Sequence, residues 1–249
     1  MRQIITSTVI MLTLPSLCYA IGFGFGAYYV YGLPISDLTA HDAQYMGDTM
    51  TINTETGIPF KMGHLNFGAG GVLTVWPFLN VEGGFELHGQ YKNKEATFKG
   101  TVDYHGQQTD LEWDEPADNI TWFMMNFYAG NRVKIFSSKE VKFSADAGLV
   151  ISRSKFEPEE EWLGENLQKG QYIIALNPGV YFGGVINFFV SSKTAITIPV
   201  RYNYLFAADY GYYVQAGPAG DYYDVPNYTE KWKPPSLLTV GAGIEYYVF

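Results

Sequence analysis

The side chains of this chain that could do chemistry fall at alternate positions inside segments that are otherwise apolar. His64, Glu82, Glu86, His88, Lys142, Asp146 and Arg201 all lie on the polar beat of a two-residue alternation. Acids, bases and imidazoles converging on one interior have two uses. They can pair as a satisfied ionic core, because a charge held away from water is costly unless it is matched. They can also form a gated path for protons or ions. Other chemistries lack their parts. The four histidines read His41-Asp-Ala, His64-Leu-Asn, His88-Gly-Gln and His105-Gly-Gln, so none has a serine two positions on. A Gly-x-Ser-x-Gly nucleophile turn is missing as well. A metal pair from Glu86 and His88 is discounted on the ground that neighbours on a strand face opposite ways. No calcium loop of the Asp-x-Asp-x-Asp-Gly kind occurs. The expectation is no catalysis, no metal and no cofactor.

The elements that must position these groups announce themselves at Ile21–Leu33, where Ile21, Phe23, Phe25, Ala27, Tyr29, Tyr31 and Leu33 alternate with a second face that is mostly glycine. Successive side chains of a strand point to opposite sides, and neither face here carries a charge. Such a strand suits a wall between lipid and a narrow interior. Seven more segments repeat the beat, approximately Lys61–Val75, Val81–Tyr91, Ile120–Gly130, Val141–Ser154, Gln171–Ile186, Thr194–Phe206 and Ser236–Phe249. Their oily face supplies Phe67, Leu73, Phe85, Leu87, Phe123, Phe127, Ile198 and Tyr202, which join Phe23, Phe25 and Tyr29 as the predicted membrane-facing set. Tyr91 is placed outward by the same parity, and Trp122, Met124 and Tyr128 inward. Long polar connections alternate with tight turns. Pro34–Pro59 reads as a long loop, while Thr101–His105 and Thr109–Trp113 flank Gly106 as a hairpin beyond the membrane. Pro178 and Pro199 each lack a ladder donor and are expected to mark bulges or strand ends. The predicted fold is all-β: an eight-stranded antiparallel up-and-down transmembrane barrel with long outer loops and short periplasmic turns.

Met1–Ala20 has a basic start, a short apolar run and small residues before a cut after Ala20, the three parts of a secretory signal peptide. Residues 21–249 would then be the barrel domain. The one cysteine, Cys18, falls in the removed segment, so no disulfide is expected. The chain carries a formal charge of −9, which makes nucleic acid an improbable partner. Aromatic residues make up 17% of it, with 20 Tyr, a composition that fits rings placed half in lipid and half in water.

At Val240-Gly-Ala-Gly-Ile-Glu-Tyr-Tyr-Val-Phe249 the chain ends on Phe249 with Tyr247 two before it, which looks like the assembly signal read by the barrel assembly machinery. With the export segment and eight strands, the whole mature chain resembles the small outer-membrane barrels of the OmpA and OmpX type, with the OmpW-like barrels as the alternative. That resemblance implies the bacterial outer membrane, a monomer, and contact with outer-membrane lipid and lipopolysaccharide. It implies a structural or surface-interaction role of an adhesion-like kind, or alternatively a narrow channel or transporter for small apolar molecules. A soluble exported binder like a lipocalin is the rival outside the membrane. The His-x-Ser pair of outer-membrane lipid A deacylases has no counterpart. Glu245, Tyr247 and Phe249 share the parity opposite to Leu238, Val240, Ala242 and Ile244. Either a bulge shifts the phase there, or Glu245 faces the lumen and the terminal pair sits at the interface.

Overall fold

The computed structural model describes residues 22–40, 43–45, 50–64, 66–76, 79–159, 161–162, 167–168, 171–216, 221–224 and 230–248. The expected signal peptide and Phe249 lie outside the described residues. Eight long strands build the core: β1 (Gly22–Pro34), β2 (Asn66–Trp76), β3 (Leu79–Lys92), β4 (Ile120–Ser137), β5 (Val141–Pro158), β6 (Gln171–Phe189), β7 (Thr194–Leu205) and β8 (Leu237–Val248). Each pairs antiparallel with its neighbours in sequence, and β8 returns to β1 in a ladder running from Phe23↔Val248 to Pro34↔Leu237. The result is a closed up-and-down barrel without a free edge.

Alternation decides what faces where. On β1 the odd residues are exposed, Phe23 at 48% and Tyr29 at 63%, while Tyr28 and Val30 are buried. Phe25, Phe67, Leu73, Leu87 and Phe127 are likewise exposed, and Phe85, Phe123, Ile198 and Tyr202 are half-buried on the same outer wall. An oily surface of this extent around a cylinder is stable only against lipid. The tight turns use one device twice. Ser138 Oγ accepts the backbone N–H of Glu140 and Val141, and Ser191 Oγ accepts those of Lys193 and Thr194.

Four expectations need correction. Tyr91 is inside and 0% exposed, because β3 carries a bulge between His88 and Tyr91, with Gln90 at φ 59°, and the extra residue flips the phase. The connection expected as a plain loop over Pro34–Pro59 contains strands at Ala43–Tyr45 and Met50–Thr54. These join a hairpin longer than predicted, Ala96–Tyr104 with Gln107–Glu115, in a separate four-stranded sheet. Its two-residue turn has His105 at φ 51° and Gly106 at φ 82°, the left-handed pair that matches strand twist. The prolines, finally, differ: Pro199 marks neither a bulge nor a strand end, whereas Pro178 lies where the ladder to β7 ends, at Gly179↔Leu205. Around Pro199 the pairing Thr197↔Gly243 resumes at Val200↔Val240 in unchanged register, so the strand simply runs through a gap of missing hydrogen bonds. Pro178 keeps its place opposite Ile151 on β5, and on its other side lies where β6 leaves β7 and takes up Ala208–Ala216 instead.

Candidate functional site

The interior is built by strands whose inward positions alternate between very large and absent side chains. Tyr128, from β4, lies across glycines of β2 and β3: a Cβ on Gly70 or Gly84 would stand 2.5 Å from its hydroxyl. Glycine is therefore required at both positions to admit the ring. Of these two strands β2 adds no member to the ionic cluster, which β3 and the other strands build.

At that level sit two guanidinium groups. Arg201 of β7 donates from Nε to Asp146 Oδ2 at 2.9 Å, from Nη1 to Glu86 Oε1 at 3.3 Å and from Nη2 to Glu82 Oε2 at 3.4 Å. Its planar head lies 4.5 Å from the centroid of the Tyr128 ring, and Nη1 also reaches the Tyr28 hydroxyl at 3.2 Å. Arg132 of β4 donates to Glu82 Oε2 at 2.7 and 2.9 Å and bridges to Glu245 Oε1 at 3.3 Å. Tyr181 donates to Glu82 Oε1 at 2.8 Å, and Asn187 holds Glu245 Oε2 at 2.7 Å. Toward the outer end, Glu86 meets His88 Nε2 at 3.1 Å, and His88 Nδ1 meets the Tyr91 hydroxyl at 3.1 Å. Every member is buried. Strong, charge-assisted bonds thus tie all barrel strands but β2 into one cluster. A void of about 20 Å³ beside Glu82, Arg132 and Arg201 has room for about one water.

Above the ionic tier stands an aromatic one. Trp122 stacks on Phe156 with centroids 5.8 Å apart and planes 8° from parallel, and Phe60 and Tyr91 close on Trp122 at 5.6 and 5.0 Å. Phe60, Tyr210 and Trp232 come from the outer connections, so the loops fill the mouth of their own barrel. Between the tiers, Ser152 and Asn126 are register partners on β5 and β4, both buried and without a protein hydrogen bond on their side chains. Buried amides and hydroxyls of that kind are satisfied by water.

Of the predicted lumen residues, Glu82, Glu86, His88, Asp146 and Arg201 are brought together. Lys142 stands apart at the periplasmic mouth, half-buried, with its ammonium 5.8 Å from the Tyr247 ring. His64 is exposed, in the segment before β2, because the strand begins only at Asn66, so it does not line the interior. The ground for discounting Glu86 with His88 does not hold, since residues two apart share a face and these two touch. Glu245 faces the lumen without any bulge in β8, and Tyr247 lies inside near the mouth, buried against Phe189 at 5.7 Å. Arg132, Tyr28, Tyr128 and Tyr181 join the cluster from outside the predicted set. Arg132 is legible, since it keeps the even parity of Trp122 and Asn126 once β4 is extended past Gly130.

With an apolar outer wall, a polar packed interior and eight strands in closed order, the architecture is decided. The chain has the fold of a bacterial outer-membrane barrel. The outer membrane protein OprG of Pseudomonas aeruginosa superposes with a TM-score of 0.51 at 10% identity, over 92% of this chain and 96% of that one. A major outer membrane protein from Thermus thermophilus gives 0.50 at 11% identity, over 89% of this chain and 99% of that one. No family model and no curated protein sequence matches. The barrel's oily belt places it in the outer membrane, with its lumen shut off from lipid.

Proposed function

We propose that this barrel is a closed membrane anchor with a structural or surface-contact role, working through the β-structure it carries outside the membrane, as a monomer and without catalysis. The observation that carries the reading is the double stopper: an ionic tier made by the strands and an aromatic tier made with the loops. A second support is reach. β5 and β6 have 18 and 19 residues, against the roughly 9–11 that a tilted strand needs to span a bilayer. Their outer halves and the sheet containing Ala96–Glu115 present a surface well clear of the lipid.

Planar-bilayer recording tests the closure: the intact chain is expected to give no single-channel events. Steady conductance would overturn the reading. Replacing Ala96–Glu115 by a short Gly-Ser link is expected to leave the barrel folded and to abolish attachment of cells that display it to a surface they otherwise bind.

One observation favours the alternative of a conduit for small apolar molecules, namely the parting of β6 from β7 at Pro178, which leaves a notch in the wall. On its inner side the notch is closed by Asn177, whose Nδ2 donates to Phe206 O at 3.1 Å and whose Oδ1 accepts from the Tyr210 hydroxyl at 2.9 Å. Uptake of an apolar dye into vesicles by the intact chain would favour the conduit, and its absence the anchor.

A further inference from the structure

The same notch has an outer side. There an open groove of about 890 Å³ runs along the lipid-facing wall, lined by Tyr172, Ile174, Leu176 and Pro178 of β6, by Arg153 of β5, and by Lys231. Its lower lining is apolar and its rim is basic.

Arg153 is the anomaly. By parity it belongs to the outward face of β5, after Leu149 and Ile151, which are 67% and 52% exposed. Outward charge on the described part of the barrel strands is confined to the outer ends of β3 and β5. Lys92 on β3 is paired with Glu159 at 2.5 Å, and Lys155 on β5 with Glu157 at 2.8 Å. Arg153 is exposed beside Leu176 and has no ion pair among the described residues. An arginine on the lipid face is costly in the hydrocarbon and tolerated only near the headgroups. Its planar fork suits a phosphate better than water alone does. Lys231, across the groove, faces Asp209 in register but forms no ion pair with it, so the rim keeps a net positive charge. Lys155 holds its ammonium 4.3 Å above the Tyr172 ring at the groove's edge, with its charge matched by Glu157. A ligand that satisfies all of this has a phosphate for Arg153 and Lys231 and a hydrocarbon chain for Ile174, Leu176 and Pro178.

We infer that this groove is a binding site for one phosphorylated glycolipid of the outer leaflet, with Arg153 and Lys231 on its phosphate and an acyl chain laid along β6. The inference rests on the membrane placement of the barrel and not on whether its lumen is closed.

The test uses the full chain, purified in detergent and stripped of lipid, with bisphosphorylated lipid A as the probe. The double substitution Arg153→Gln/Lys231→Gln is expected to weaken binding at least tenfold. Lys61→Gln/Lys99→Gln, which removes the same charge from exposed positions elsewhere, is expected to change it less than twofold. Lipid A without its phosphates should bind the parent at least tenfold more weakly, and inorganic pyrophosphate should not compete at equal concentration. Equal binding by the double variant, equal loss in both variants, equal binding of the dephosphorylated lipid, or full competition by pyrophosphate would each overturn the site. Retained heat-modifiable migration on gels shows that each variant is folded, and Arg153→Lys, which keeps the charge but loses the fork, should show an intermediate loss. Conductance measured on the same preparation separates the two readings: a conducting chain with this lipid profile sinks the anchor and leaves the groove standing.

Discussion

The two tiers that fill the barrel are stoppers of different kinds. The ionic tier is made wholly by strands, and its members share their partners: Glu82 serves Arg132, Arg201 and Tyr181, and Arg201 also holds Asp146 and Glu86. The aromatic tier mixes strand residues such as Trp122 and Phe156 with rings borrowed from the connections, Phe60, Tyr210 and Trp232. One is a property of the cylinder and fails all at once when a member is lost. The other depends on how the loops settle and yields by degrees. Closure of the lumen is therefore intrinsic at the middle and conditional at the mouth.

The sharpest way to break that contrast is Arg201→Ala. It leaves Glu86 and Asp146 buried with a guanidinium gone, and unfolding in urea from lipid vesicles should show a loss of about 3–5 kcal/mol. Trp122→Ala removes a large ring from a stack that the loops can partly refill, so about 3 kcal/mol is expected by the same measurement, at the low end for such truncations. Neither single change should conduct, while the two together should give measurable single-channel events. Conductance from Trp122→Ala alone would mean that the ionic tier is no barrier. Gly84→Leu drives a side chain into Tyr128 and should cost about 1–3 kcal/mol. Smaller still is Tyr210→Phe, which removes the bond to Asn177 for about 1 kcal/mol. Burial pushes the Tyr210 phenol upward, so the proton is held more tightly in the folded chain. Its contribution should therefore be constant at every pH below about 10, the value of a free phenol, and fade only as pH rises above it. A difference between wild type and Tyr210→Phe that changes between pH 5 and pH 9 would contradict the buried donor. His64→Ala, at an exposed position outside both tiers, should stay within about 0.5 kcal/mol.

Much of this is legible in the residues alone. A period of two is a geometric property of strands, so spacing sends Phe23, Phe67 and Phe127 outward and Glu82, Glu86 and Arg201 inward. Where spacing misleads, a local event has shifted or hidden the count. The bulge at Gln90 adds one residue and turns Tyr91 inward, and nothing in the residue types near it announces that. His64 lies on the right beat but precedes the strand that would have given the beat meaning. The strands at Met50–Thr54 and Ala96–Tyr104 do carry an apolar beat, Met50 and Ile52 in one and Phe98 and Val102 in the other, but they lie within charged connections, and Phe98 is buried with rings from the other connections instead of facing lipid. Pro199 misleads in the opposite direction, because an antiparallel ladder held on both sides survives one missing donor without changing register. The aromatic tier is the least legible part. It is assembled from residues as distant as Phe60 and Trp232, and only the closed topology brings them together.

The seam between β1 and β8 has a consequence for how the molecule forms. Those strands lie at opposite ends of the described chain, so the cylinder cannot shut until nearly all of it is in hand. Glu245, on the last strand, reaches Arg132 near the middle of the sequence. Before the seam zips, that carboxylate and its guanidinium partner are part of an unrolled sheet with its charged face uncovered, a species the bilayer interior would reject. Insertion and zipping must therefore proceed together, and a ribosome product ending even a few residues short, at Gly243 for example, should stall as an open sheet and never reach a folded barrel.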